Sequence, residues 1–193
     1  MTALGVALLL GACSSAPTRF YTLEGPVAQS APASASMPYR IELMPVSIPE
    51  QVDQPQLVIR ESADRVAVLE GEQWVSPLGD QIHTALSDDL VRQLGAQDAY
   101  GLPHARGQEV YRIKLDVRRF ESMPGAYALI SAVWSVHGKD ARHVLNCAAT
   151  IKQPVEAGYS ALVQGHQQAL AQLAADVAMT ERGLARGVNP ACP

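Results

Sequence analysis

The sequence predicts an α+β fold, a two-layer sandwich in which a mixed, mainly antiparallel sheet carries two helices packed on one face. Three observations point there. Short stretches alternate apolar and polar residues with a period of two, as half-buried strands do. Two longer stretches repeat apolar residues at helical spacing. The strands come in two runs of three, each followed by a helix. That order, β-β-β-α-β-β-β-α, does not build a doubly wound parallel sheet.

The first strand is read at Tyr39 to Ile48, where Tyr39, Ile41 and Leu43 share a face. Pro45 and Pro49 confine it to an edge or to its first half. Gln56 to Glu61 and Arg65 to Glu70 form a hairpin around Ser62-Ala63-Asp64, and Trp74 follows in a loop. The first helix is capped by Ser76, with Pro77 at its first position, where a missing N–H costs nothing. Leu78, Ile82, Leu86, Leu90 and Leu94 form its stripe, and Gly95 ends it in the left-handed conformation. Val110 to Phe120 sets Tyr111, Ile113, Leu115 and Val117 against Arg112, Lys114, Asp116 and Arg118, a sheet with one wet side. Ala126 to His137 and Arg142 to Lys152 complete an antiparallel meander, with turns at Pro124-Gly125 and Gly138-Lys139-Asp140. The last helix runs from Ser160 to about Leu184. Leu162, His166, Leu170, Leu173, Val177 and Leu184 line one face, and the alanines around them let it sit close to a sheet.

The N-terminus carries a separate signal. Ala3 to Ala12 is apolar or small and uncharged, too short to span a bilayer, which needs roughly twenty residues. It matches the apolar region of a signal peptide. Leu10-Gly11-Ala12-Cys13 reads as a lipobox: small residues admit the peptidase, and the Cys13 thiol accepts a diacylglycerol. An ordinary secretory peptide with an incidental Cys13 is the alternative. Met1-Thr2-Ala3 lacks the Lys or Arg that opens a signal peptide, so the true start is expected upstream. Ser14 after the cysteine fits sorting to the outer membrane, facing the periplasm. The expected organisation is a signal peptide over 1–12, a lipidated tether and Pro/Ala/Ser-rich linker over 13–38, and a folded domain over 39–193.

Composition narrows the function. Hydrophobic residues make up 48%, ample for a packed core. Net charge is −4 with no basic block, which argues against a nucleic-acid partner. With Cys13 acylated, Cys147 and Cys192 remain, an even pair in an oxidising compartment. A disulfide there would close a loop of about 45 residues and contribute roughly 4 kcal/mol. The alternative is a buried thiol at Cys147 and a free one at Cys192.

No residues assemble a catalytic or metal site. Gly158-Tyr159-Ser160-Ala161-Leu162 begins like a nucleophile elbow but lacks its last glycine and the parallel sheet before it, so Ser160 reads as a helix cap. His83, His104, His137, His143 and His166 form no ligand pair on a helix. His166 falls on the apolar stripe and reads as a core histidine. Asp88 and Asp89 are adjacent on one helix and cannot face each other. No cofactor is expected.

Several segments together resemble a known family, the ABC-type transport auxiliary lipoproteins, also called PqiC-like or YmbA-like. Arg19-Phe20-Tyr21-Thr22-Leu23 resembles the family's Y-Y-x-L segment, and Ile41 to Pro49 its first core strand. Gln56-Leu57-Val58-Ile59-Arg60 followed by Trp74-Val75-Ser76-Pro77-Leu78 is similar to the pairing ahead of its first helix. Leu115-Asp116-Val117-Arg118-Arg119-Phe120 resembles a later strand ending in Phe. The Pro/Ala/Ser insertion after Leu23 departs from the pattern. The resemblance implies a non-enzymatic subunit of an MCE/ABC system that moves lipids between membranes and supports envelope integrity. It implies an MCE-domain partner, docked at the outer membrane, and a homo-oligomer. Two other readings are an envelope lipoprotein regulating another machine, such as peptidoglycan synthesis, and a hydrolase centred on Ser160. Phe20 and Tyr21 are the candidate docking residues, being aromatic and close to the tether; an ordinary edge strand is the alternative.

Overall fold

A computed structural model describes residues 17–25, 37–103, 105, 107–138, 144–188 and 191–192. Cys13, the signal segment and most of the linker lie outside these residues, as do His104 and His143. The described chain is an α+β fold. Its strands are β1 (Arg19–Tyr21), β2 (Tyr39–Leu43), β3 (Gln56–Arg60), β4 (Val66–Trp74), β5 (Gln97–Asp98), β6 (Glu109–Met123), β7 (Tyr127–His137) and β8 (Val144–Pro154). Helix α1 (Leu78–Leu94) follows β4, and α2 (Tyr159–Ala185) follows β8.

The strands divide between two sheets. Five line up as β5-β2-β6-β7-β8 and three as β1-β4-β3. The long strands β6, β7 and β8 form the expected antiparallel meander, turning at Gly125 with φ +72°, a conformation that favours glycine. β2 joins it in parallel, Ile41 opposite Tyr111. Its ladder is interrupted at Pro45, which has no N–H to donate, and resumes for one parallel bridge between Ser47 and Asp116. The β3–β4 hairpin pairs with β1 in a second sheet.

Both helices cover the inner face of the large sheet. The α1 stripe of Leu78, Ile82, Leu86, Leu90 and Leu94 is buried. It meets Ile113, Leu115, Val117, Ala132, Trp134 and Val136 in one core. Ala169, Ala174 and Ala178 are fully buried on α2, so the helix backbone approaches the sheet closely. Gly165 is the tightest point: a Cβ there would collide with Val155 Cγ1 and sit 3.1 Å from Ala128 Cβ.

Three details differ from expectation. Pro77 flanks α1 instead of opening it, and Ser76 contributes its carbonyl, bonded by Gln81 Nε2 at 2.9 Å, with no side-chain cap. Gly158, at φ +102°, precedes α2, so Ser160 is an exposed residue of the first turn and caps nothing. Trp74 ends β4 and is buried against Phe120, their rings edge to face at 6.1 Å. The core also includes residues ahead of Tyr39. β1 pairs in parallel with β4, and Leu23 is 1% exposed with its N–H donating to Gln81 Oε1 at 2.8 Å.

Candidate functional site: an exposed N-terminal edge and two buried polar clusters

Strand β1 separates the two candidate docking residues onto opposite faces, because successive side chains of a strand alternate. Tyr21 packs inward beside Trp74, its Cα partner on β4. Its hydroxyl donates to Glu72 Oε2 at 2.6 Å. Burial, then that bond, push the phenol up to about 12. Arg19 binds the other oxygen of Glu72 at 3.1 Å, so this carboxylate holds the strand from two sides. Phe20 faces the other way and is 62% exposed. Val75, just past β4, is 60% exposed and donates its N–H to Tyr21 O. The register sets Phe20 opposite Gln73, and Val75, two residues further on, falls on the same side by alternation. Beside Val75 opens a cleft of about 340 Å³ lined by Asp53, Gln54, Pro55, Trp74, Val75, Ser76 and Pro77. An exposed ring, a valine and a shallow apolar cleft are what a partner protein can cover.

A second cluster joins β6 to α2. Ser122 Oγ and His166 Nε2 are 2.8 Å apart, both side chains buried. The His166 ring stacks on Phe120, centroids 3.9 Å apart and planes at 9°. This is a serine–histidine contact that the sequence hides, because its members lie on different elements. It is poorly equipped for nucleophilic chemistry. Burial holds the imidazole down at about 3, too weak a base for a serine proton near neutrality. His166 Nδ1 has no partner among the described residues, so no carboxylate stands behind the ring to stabilise an imidazolium. The contact instead gives one ring nitrogen of a buried core histidine a partner.

A third cluster lies where β2 meets the end of α2. Glu181 is fully buried; its Oε2 accepts from Tyr39 at 3.1 Å, and its Oε1 has no partner among the described residues. Burial raises its carboxyl to about 7, against the pull of Tyr39 and Arg182. The Tyr39 ring meets Tyr111 edge to face at 5.1 Å, and Tyr111 donates to Glu109 at 2.7 Å. Both phenols are raised, chiefly by burial.

At the other end of the chain, Cys147 and Cys192 are bonded, with Cα atoms 5.4 Å apart. Cys147 is buried on edge strand β8, and the bond fastens the C-terminal residues there. Among the described residues no three His, Cys, Asp or Glu side chains are placed to hold a metal ion. No described helix is long and apolar enough to cross a membrane.

The family model for the ABC-type transport auxiliary lipoprotein component matches residues 21–178. No curated protein matches the sequence. Solved structures share the fold, two crystal structures among them. One, of an uncharacterized protein, superposes with a TM-score of 0.68 at 18% identity, covering 86% of this chain and 99% of its own. The other, XCC0632 from Xanthomonas campestris, of the family DUF330, gives 0.63 at 19% identity, covering 87% and 99%.

Proposed function

Because the chain belongs to the family of ABC-type transport auxiliary lipoprotein components, we propose that it is the outer-membrane docking subunit of an MCE/ABC lipid transport system. The family is one of auxiliary transport components and not an enzyme class. In this reading Cys13 carries the acyl chains, and two or three chains hold the protein firmly, at about 0.8 kcal/mol per buried CH₂. The domain stands in the periplasm on its linker and receives the MCE component. Copies of the domain assemble around that partner. The system carries phospholipid between the membranes and so supports envelope integrity.

The observation that carries this reading is the family match over nearly all of the folded domain. The exposed Phe20–Val75 face supplies a place for the contact. It lies at the N-terminal side of the domain, next to the expected tether. Phe20→Ala is expected to weaken capture of the MCE protein at least about tenfold, the scale of one interface anchor. It leaves the melting temperature almost unchanged, because the ring is exposed. Tyr21→Ala lowers the melting temperature through lost packing and the lost Glu72 bond. If Phe20→Ala destabilised the domain and left capture intact, β1 would be an ordinary edge strand.

A further inference from the structure

The outer face of the large sheet is covered by no helix among the described residues, since α1 and α2 both pack on the other side. Its side chains follow from the register. Across β6, β7 and β8 run the rows Arg112–His137–Val144, Lys114–Ser135–Asn146, Asp116–Val133–Ala148 and Arg119–Ser131–Thr150. The chain as a whole is acidic, at −4, yet β6 sets four cations along this face: Arg112, Arg118 and Arg119 are paired with Glu42, Asp116 and Glu121, and Lys114 adds a further positive charge.

One irregularity concentrates them. The β6–β7 register shifts between Val117 and Arg119, leaving Arg118 as an extra residue. A bulge of this kind re-aims side chains. Here two consecutive arginines both reach solvent, with side chains 63% and 54% exposed. Next to the bulge lies a cleft of about 480 Å³. Its polar lining includes Lys114, Arg118, Asp116, Ser135 and Asn146, over Val133 and Ala148. Asp116 accepts from Arg118 at 3.0 Å, so that carboxylate is already engaged. Lys114 has no ion-pair partner among the described residues. Three ionised groups thus leave one net positive charge, with a hydroxyl and an amide beside it.

This set suits a phosphate group. The ammonium supplies a point charge, and the guanidinium, held by Asp116, keeps N–H groups free to donate. Asn146 adds a neutral donor, and the Ser135 hydroxyl, which shares a 3.2 Å hydrogen bond with His137 Nε2, lies beside it. The opening is broad and lies on an open sheet face, so the rest of a ligand stays outside, as a headgroup at a bilayer surface does. We propose that this cleft binds the phosphate of an anionic phospholipid headgroup presented at a membrane surface. The proposal rests on the lipid-transport reading above and gives it a lipid-facing side distinct from the Phe20 face.

The test uses the full chain with Cys13→Ser, so that no acyl chain contributes. Its partition is measured onto vesicles of phosphatidylcholine alone and of phosphatidylcholine mixed with phosphatidylglycerol, at low and physiological salt. The expected result is a preference for the anionic vesicles of about tenfold or more, weakened by salt. It is lost in Lys114→Glu/Arg118→Glu and kept in Lys114→Arg. Thermal melting checks that the double variant folds; if it does not, Lys114→Gln alone must reduce the preference. Equal binding to both vesicles, or a preference that survives these substitutions, overturns the proposal. So does saturation of the cleft by inorganic phosphate, followed by the Ser135 and Asn146 amide resonances, without vesicle binding: that result assigns a free-anion site. Capture of an MCE protein is a separate measurement, so loss of vesicle binding alone leaves the docking role standing.

Discussion

Glu181 and His166 are buried side chains whose ionisation opposes folding, and their contributions to stability run in opposite directions with pH. His166 sits at about 3 in the folded chain, against 6.5 when solvated. Between those values the unfolded chain binds the extra proton, so stability falls as pH drops from 6.5 toward 3. Glu181 sits at about 7, against 4.5. Here the folded chain keeps the proton longer, so stability falls as pH rises from 4.5 through 7. The two effects offset each other between 4.5 and 6.5. Glu181→Gln removes the second limb. Its stability relative to the parent should grow across that limb by ~3 kcal/mol at most, read as urea midpoints at pH 5 and pH 8. A constant difference would show that Glu181 does not titrate there. The sequence places His166 on an apolar stripe, and it is indeed buried. Its partner Ser122 was not legible, because a contact 44 residues away leaves no local pattern.

Among the elements, strong periodicity was readable and short pairing was not. The α1 stripe, the β6–β7–β8 meander and the left-handed Gly95, at φ 69°, follow from spacing alone. β5 spans two residues, too few for alternation to register, and the aromatic Arg19–Tyr21 segment reads as β-prone without showing which strand it joins. The split into two sheets is likewise set by tertiary partners: β1 finds β4, and β2 finds β6. Gly165 makes the tightest element contact testable. In an open helix Gly→Ala gains about 1 kcal/mol. Here the new methyl meets Val155 and Ala128, so Gly165→Ala should destabilise by about 1–3 kcal/mol as α2 is pushed off the sheet. A gain in melting temperature would show that Val155 moves aside freely.

For the whole molecule, the C-terminal bond and the N-terminal edge matter most. The bond between Cys147 and Cys192 spans 45 residues. A closed loop of that length contributes about 4 kcal/mol, so Cys192→Ala should lower the melting temperature by roughly 10 °C. An unchanged melting temperature would mean the tail adds nothing to the fold. Of the candidate site, the sequence identified the aromatic pair but not its division: only pairing with β4 shows that Tyr21 belongs to the core and Phe20 to the surface. The cationic outer face was visible as alternation in β6, whereas the bulge that doubles its arginines appears only in the register.

The most direct measurement of the docking role is crosslinking in cells of the tagged, lipidated protein, with mass spectrometry of what it captures. The expected capture is an MCE-domain protein, joined through residues near Phe20 and Val75, together with self-crosslinks. Recovery of cell-wall synthases without any MCE protein would contradict it and leave the family likeness as a statement about fold alone.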